Sequence, residues 1–339
     1  MTLPLEATLR ARLGQLIGEE LSACEAEIRR EVAASPVLLI RDLTEYVALA
    51  GGKRLRPILV LLTTRLAGGS AARAARLGCV VELLHTATLI HDDVVDRAPL
   101  RRGRPSANAR WGDDAALLVG DHLYARCMAL LVADGDLAVM DALAAAMVSM
   151  TEAEVFQLER KRDARLTEGD YLRIIRQKTA TFISACCRIG ALAGGLDRAS
   201  VEALAAFGEH LGIAFQIIDD SLDFDADEAR FGKAIGTDLR EGKRTLPLIA
   251  TLERASPEER ARILAVLRRP AAGEADPART ERDVVEVQRL VKVYDGVGYA
   301  VARAAAYAAE ATARLARFAP SAEREVLGLI AEYVVQRDR

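Results

Sequence analysis

The stretch "LIHDDVVDRAPLRRG", residues 89–103, groups three carboxylates within five positions and places an arginine pair shortly after them. The carboxylates belong to Asp92, Asp93 and Asp96, and the arginines are Arg101 and Arg102. Neighbouring charges of one sign repel each other, so surface solvation alone rarely sorts them in this way. A ligand that is anionic and brings its own cation would need both groups.

The spacing of these acids suits a magnesium ion. On a helix, Asp92 and Asp96 share one face and lie about 6 Å apart along the axis. Magnesium commonly takes one or two protein carboxylates and completes its octahedron with water and substrate phosphate. A single DDxxD pattern is equally compatible with a solvated acidic helix end, so it does not identify a site alone.

The same pattern recurs in "FQIIDDSLDF", residues 215–224. Apolar side chains surround Asp219, Asp220 and Asp223, and carboxylates in such surroundings must be paired or bound to metal. Two triads, each closing a long apolar helix, predict facing helices that hold several magnesium ions. These ions would clamp one diphosphate and draw charge from its ester oxygen as it leaves.

Basic residues near helix ends or turns complete an anion site, because arginine forks match phosphate oxygens and lysine supplies a compact charge. They are Lys53, Arg56, Arg101, Arg102, Lys178, Lys233 and Lys243. His85 lies two helical turns before Asp92 and could bind phosphate beside them. Taken singly, each basic residue is compatible with a solvated surface position, and His85 with a core histidine.

The rest of the 339-residue chain favours an all-α fold. Helical periodicity runs almost throughout, alanine is abundant, and beta-branched alternation is nearly absent. We expect one domain over residues 1–339, a single large helical bundle of buried central helices around a central cavity. Within it we expect long helices at about 71–96 and 113–134, an ordered loop at 231–247 and a surface loop at 268–280.

Composition also excludes several functions. The net charge of −3 gives no general attraction to nucleic acid. The five cysteines have no CxxC spacing, which argues against a disulfide framework or a zinc site. The first residues lack the uninterrupted apolar core of a secretory signal, and no run reaches the ~18 apolar residues of a membrane-spanning helix. Reduced cysteines fit a cytoplasmic protein best, and we expect that location.

These motifs resemble, in their order and spacing, those of the trans-polyprenyl diphosphate synthases. The likeness runs from "GGKRLRP" through "HTATLIHDDVVD", "LRRGRPSAN", "QKTA" and "FQIIDDSLD" to "GKAIGTDLREGKRTLPL". The chain looks most like the bacterial octaprenyl and decaprenyl diphosphate synthases, which make quinone side chains. The resemblance implies the all-helical isoprenoid synthase fold, a homodimer, and head-to-tail addition of isopentenyl diphosphate to an allylic primer, either farnesyl or geranylgeranyl diphosphate. It also implies three magnesium ions per active site with substrate bound, and a peripheral membrane contact for product release.

The resemblance further implies a role for each matching residue. Asp92, Asp96 and Asp219 would hold magnesium, supported by Asp93, Asp220 and Asp223. Isopentenyl diphosphate would be bound by Lys53, Arg56, His85 and Arg102. The allylic diphosphate would be bound, or its cation stabilised, by Arg101, Lys178, Thr179, Gln216, Lys233 and Lys243. No side-chain base is evident, so the released diphosphate is the candidate proton acceptor.

The helix before the first triad suggests how product length is set. Ala87 and Thr88 lie one turn, about 5.4 Å, before Asp92 and are both small. In short-chain members of the family this level typically carries a bulky aromatic residue that stops the growing tail. Here the tail could pass Leu84 toward a floor set by Val81 and by Met128 or Leu131, which predicts an octaprenyl to decaprenyl product. Alternatively, Ala87 merely permits close packing of helices.

Three other functions stay open. A medium-chain synthase would make geranylgeranyl or farnesyl diphosphate with the same motifs. A terpene cyclase would share the first triad but would not be expected to carry "GGKRLRP" and a second DDxxD. A non-catalytic subunit of a heteromeric synthase would be expected to lack one triad, whereas this chain has both.

Overall fold

The structure, a computed structural model, describes residues 5–160, 166–225, 237–240, 242–267 and 277–336. These residues form helices joined by turns and one short hairpin, which confirms the predicted all-α class. By their internal packing they divide into two compact units, each formed from three segments of the chain.

The first unit comprises Met1–Ala145, Ile183–Ala206 and Leu315–Leu329. Its N-terminal helices are α1 (Leu5–Ala33), α2 (Leu38–Ala48), α3 (Leu55–Leu66), α4 (Ala71–Val95), α5 (Ala107–Trp111) and α6 (Asp113–Asp134). Helix α4 is the central one, because it packs against α1, α3 and α6 and buries residues on all of its faces. The helices predicted at 71–96 and 113–134 are confirmed to within one residue.

A hairpin follows α4 and was not predicted. Strand β1 (Leu100–Arg101) pairs antiparallel with β2 (Arg104–Pro105). The two turn residues, Arg102 and Gly103, have φ angles of 52° and 73°, and a left-handed pair of this kind matches the right-handed twist of a two-residue hairpin. The turn fixes the direction in which the arginine pair leaves the backbone.

The second unit comprises Ala146–Phe182, Phe207–Arg314 and Ile330–Arg339. The remaining helices in chain order are α7 (Leu137–Arg160), α8 (Glu168–Ile175), α9 (Thr181–Ala193), α10 (Arg198–Asp225), α11 (Thr237–Arg240), α12 (Leu246–Arg254), α13 (Pro257–Leu267), α14 (Pro277–Val293), α15 (Gly296–Arg314) and α16 (Ala322–Gln336). A π-helical turn, Arg176–Ala180, joins α8 to α9. The second unit has its own apolar core, in which Leu248, Leu252, Ile263 and Leu290 are buried together.

Two predicted loops need correction. The segment 231–247 is not all loop, because α11 occupies Thr237–Arg240 and α12 begins at Leu246, while residues 231–236 lie outside the described residues. The predicted surface loop 268–280 ends no later than Pro277, where α14 begins. Residues 268–276 also lie outside the described part of the chain, and the single domain over 1–339 stays a prediction.

Two helices are long and apolar enough to cross a membrane by length and mean hydropathy. They were not predicted from the sequence, where only an uninterrupted run of apolar residues was sought. They are Asp113–Asp134 and Arg198–Phe224, and the apolar windows of the two are 33% and 61% buried within the protein. Core helices of globular proteins meet the same criterion, so it is weak support for a membrane span.

Candidate active site

The first acid triad lies at the C-terminal end of α4, and its three carboxylates have different surroundings. Asp96 is the last residue of the helical turn, since its N–H donates to the carbonyl oxygen of Asp92 at 2.8 Å. Asp92 is half-buried and Asp96 is exposed, one turn apart on the same face as predicted. Asp93 is only 1% exposed, and its Oδ1 accepts a hydrogen bond from Arg101 Nε at 2.7 Å. Asp93 therefore anchors Arg101.

Burial raises the pKa of Asp93, and the positive charge of Arg101 partly opposes this rise. Because Arg101 extends from strand β1, the ion pair fixes the hairpin to the end of α4. The neighbouring Arg102 points to the loop between α2 and α3, where its Nη1 donates to the carbonyl oxygen of Gly51. Local sequence spacing could not reveal either contact.

His85 and the predicted isopentenyl diphosphate ligands come together in the first unit. Burial and the charges of the neighbouring arginines, chiefly Arg56 and Arg102, hold the pKa of His85 well below its ordinary value. Its imidazole is therefore neutral at physiological pH. Desolvation lowers the pKa of Arg56 and of Arg102, and Lys53 is exposed in the adjoining loop. An anion bound beside His85 would therefore contact partly desolvated guanidinium groups.

An ion pair that sequence reasoning missed lies beside this cluster. Arg54 Nη1 donates to Glu82 Oε1 at 2.5 Å, and its Nη2 donates to the carbonyl oxygen of Ala48 at 2.8 Å. Glu82 is 7% exposed and stands on the buried helix α4, three residues before His85. A lone acid inside "VVELLH" was the available signal, since a buried carboxylate needs a partner.

The second acid triad closes α10 in the second unit. Asp219 is exposed, Asp223 is half-buried and Asp220 is buried. Asp220 accepts hydrogen bonds from Tyr171 Oη at 2.6 Å and from Gln216 Nε2 at 2.8 Å. Burial, reinforced by the charge of Asp238, raises the pKa of Asp220 to about 8. Tyr171 and Asp238 are site residues that the sequence interpretation missed.

The π-helical turn before α9 presents two of the predicted residues, Lys178 and Thr179. Thr179 Oγ1 donates to Gln216 Oε1 at 2.9 Å, so the turn is linked to the helix of the second triad. Lys178 forms an ion pair with Glu154 of α7. Single π-helical turns within α-helices are often found at functional sites. Thr179 of this turn joins Gln216 and Asp220 in one chain of hydrogen bonds.

Two further residues, Lys243 and Lys233, were predicted to serve the allylic diphosphate. Lys243 Nζ lies 3.5 Å from Asp238 Oδ1. Asp238 in turn donates its backbone N–H to Asp223 Oδ2 at 3.1 Å. The turn at Lys243 is thereby attached to the second triad. Lys233 lies outside the described residues.

The predicted chain-length residues are placed as follows. Ala87 is fully buried, and Thr88 Oγ1 donates to the carbonyl oxygen of His85 at 2.8 Å. Met128 is 37% exposed, whereas Leu131 is 2% exposed. Of the two alternatives for the floor, Leu131 is thus the buried one and Met128 the exposed one.

One contact between α4 and α6 lies level with Asp92 and was also missed. The His91 ring stacks on Tyr124 with centroids 5.6 Å apart, and His91 Nε2 is 3.1 Å from the carbonyl oxygen of Leu117. A side chain at Gly120 would collide with His91, since its Cβ would lie 2.2 Å from Nε2. Burial, with the charge of Asp92, raises the pKa of Tyr124 to about 12. Tyr124 therefore lies close to the first triad.

The donor chemistry of both triads fits magnesium. Carboxylate oxygens are hard ligands, and Asp92, Asp96 and Asp219 keep accessible side chains. Within the described ranges, no three His, Cys, Asp or Glu side chains converge closely enough to hold a metal ion by themselves.

Comparison with known proteins identifies the family of this chain. The chain matches the polyprenyl synthetase family over residues 37–283. It is 34% identical over 328 residues to the octaprenyl diphosphate synthase of Escherichia coli (strain K12), covering 97% of this chain and 99% of that protein. It is 35% identical over 319 residues to a short chain isoprenyl diphosphate synthase of Methanothermobacter thermautotrophicus, covering 93% and 95% of the two chains.

A solved structure gives the same result for the fold. The polyprenyl synthase of Caulobacter crescentus CB15, solved with calcium and isoprenyl diphosphate, superimposes with a TM-score of 0.90 at 37% identity, covering 97% of this chain and 98% of that chain. The match extends over nearly the whole length, and the relatives are named as polyprenyl or isoprenyl diphosphate synthases. This protein is a prenyltransferase that belongs to the polyprenyl synthetase family.

Proposed function

We propose that the protein is a long-chain all-trans polyprenyl diphosphate synthase that adds isopentenyl diphosphate head to tail to an allylic diphosphate. The observation that carries the long-chain assignment is the small side chain of the buried Ala87, one turn before Asp92. The product is of octaprenyl to decaprenyl length and serves as a quinone side chain. Farnesyl or geranylgeranyl diphosphate is the primer.

The basic residues divide the two substrates between them. Arg56, Arg102 and the neutral His85 bind the diphosphate of isopentenyl diphosphate, with Lys53 at the entrance. Arg101, oriented by Asp93, and Lys178 bind the allylic diphosphate. Two sets of cations keep the two diphosphates apart, so the nucleophilic double bond and the ionising carbon are held in a fixed relation.

Asp92, Asp96 and Asp219 would hold magnesium, which when bound supplies charge that stabilises the departing diphosphate. Arg101 and Lys178 add further positive charge beside the leaving group. Thr179 and Gln216 present hydroxyl and amide dipoles to the allylic cation, and the apolar interior excludes the water that would quench it. The double bond of isopentenyl diphosphate attacks the cation, and the released diphosphate takes the proton that is then lost.

An exposed apolar face on α6 supports a homodimer. Leu117, Leu118 and Val132 are 48%, 66% and 64% exposed on this helix. Such a row of large apolar side chains marks a surface that another protein covers, and a second copy of the chain is the partner we propose. We also propose that the protein is cytoplasmic and contacts a membrane surface transiently when the product leaves.

Incubation of the purified protein with isopentenyl diphosphate, farnesyl diphosphate and magnesium tests the proposal. The dephosphorylated products are separated by chromatography, and a parallel reaction with chelator reports the metal requirement. A product of octaprenyl to decaprenyl length that disappears with chelator is expected. A product that ends at geranylgeranyl diphosphate would identify a medium-chain synthase, and no product from any primer would refute the proposed function.

A further inference from the structure

The loop between α2 and α3 is held by an arginine that the proposed chemistry does not use. Arg54 stands at the start of α3 with a φ angle of 49°, in the left-handed region that residues other than glycine seldom occupy. Its guanidinium joins Ala48, the last residue of α2, to Glu82 in the middle of α4. The two side chains are only 11% and 10% exposed, so this ion pair is largely shielded from solvent.

The same loop determines where Arg102 lies. Gly51 accepts a hydrogen bond from Arg102 Nη1 through its carbonyl oxygen. A Cβ at Gly52 would lie 3.4 Å from that nitrogen, so the backbone passes close to the guanidinium. Any movement of the loop would therefore move Arg102 as well.

Glu82 supplies negative charge to the cations around it. Its charge raises the pKa of both Arg56 and Arg102, against the lowering that desolvation causes. Without this charge the desolvated arginines would repel each other in the absence of substrate. The Glu82 carboxylate itself is paired with Arg54.

We propose that Arg54 and Glu82 are positioning residues of the isopentenyl diphosphate pocket, an inference that rests on the proposed function. Arg54 fixes the loop, and with it Arg102, against α4. Glu82 balances the cationic cluster until a diphosphate arrives. Neither residue contacts the substrate. If Arg54 is removed, the buried Glu82 loses its partner and turns to Arg56 or Arg102.

Two variants separate positioning from a purely structural role. Arg54→Met should lower the Tm and raise the KM for isopentenyl diphosphate about tenfold, the scale of one charged hydrogen bond. The KM for the allylic diphosphate should stay within about twofold of wild type. In the double variant Arg54→Met/Glu82→Gln, the Tm should recover because no unpaired acid is buried. The KM should stay raised, since the bond to Ala48 is still missing.

The Arg73–Asp134 pair is the matched control, because it lies in the same unit at the far end of α4 from Asp92. Arg73 donates to both oxygens of Asp134, at 2.9 and 2.6 Å, and the two side chains are 22% and 8% exposed. Arg73→Met should lower the Tm without raising either KM. If Arg54→Met does not fold, Arg54→Lys, which can reach only one of the two acceptors, is measured in its place.

Three outcomes would overturn the inference: an unchanged KM for isopentenyl diphosphate in the Arg54 variant, equal rises of both KM values, or recovery of both Tm and KM in the double variant. Wild-type protein that makes no product at all would instead refute the proposed function, so the two failures are distinguishable.

Discussion

The two acid triads share one sequence pattern but hold their middle carboxylate in opposite ways. Asp93 of the first triad is paired with a cation, Arg101, at 2.7 Å. Asp220 of the second triad is held by two neutral donors, Tyr171 and Gln216. The three carboxylates of a DDxxD motif are therefore not equivalent. In each triad one acid turns inward and fixes its surroundings, while its neighbours remain accessible.

The difference also has an electrostatic consequence. The Arg101 charge limits the rise in the pKa of Asp93, whereas burial, reinforced by the charge of Asp238, raises the pKa of Asp220 to about 8. In the metal-free protein, Asp220 is therefore largely protonated at neutral pH.

The largest effect should come from removing an accessible carboxylate of either triad. We expect Asp92→Ala and Asp219→Ala each to lower kcat about 1000-fold, the scale of losing a principal electrostatic stabiliser of the transition state. Circular dichroism should show an intact fold. Near-normal turnover in either folded variant would mean that its triad does not supply the magnesium site.

A smaller effect should follow from changing the cation of the first triad. Arg101→Lys keeps the charge but loses the Nε–H that donates to Asp93, and lysine cannot present a fork to phosphate. We expect kcat/KM for the allylic diphosphate to fall about tenfold, as expected for one charged hydrogen bond. Arg104→Lys, on the other strand of the same hairpin, is the control and should leave kcat/KM within about twofold. Equal values for the two variants would remove the special role assigned to Arg101.

The smallest effect concerns stability of the metal-free protein with pH. The pKa of Asp220 is higher in the folded protein than its ordinary value of 3.8. The folded state therefore binds more protons between about pH 4 and 8, and stability falls as pH rises through this window. In Asp220→Asn this loss should be absent, so urea unfolding with chelator should favour the variant more at pH 8 than at pH 5. A pH-independent difference would contradict the assigned protonation.

The sequence was sufficient to predict the long helices and the acids that remain accessible, because helical spacing alone places Asp92 and Asp96 one turn apart on the same face. It could not show which acid turns inward, since that depends on Arg101 from the hairpin and on Tyr171 from another helix. The hairpin itself escaped prediction because its strands are two residues long. The π-helical turn at Lys178 and the pairing of Arg54 with Glu82 likewise depend on packing that no local periodicity encodes.

Met128 illustrates the same limit within one helix. It and Leu131 are three residues apart on α6, and sequence alone could not tell which one is buried. Leu131 is 2% exposed and Met128 37% exposed, while the role of either residue in setting product length stays a prediction.

The measurement that tests the central proposal most directly is the product length of Ala87→Phe beside wild type. Both proteins are incubated with isopentenyl and farnesyl diphosphates and magnesium, and the dephosphorylated products are separated by chromatography. We predict octaprenyl to decaprenyl products from wild type. From the variant we predict mainly geranylgeranyl diphosphate, the product of the first condensation onto the farnesyl primer, which should be largely preserved. An unchanged long product from Ala87→Phe would contradict a tail that passes this turn of α4.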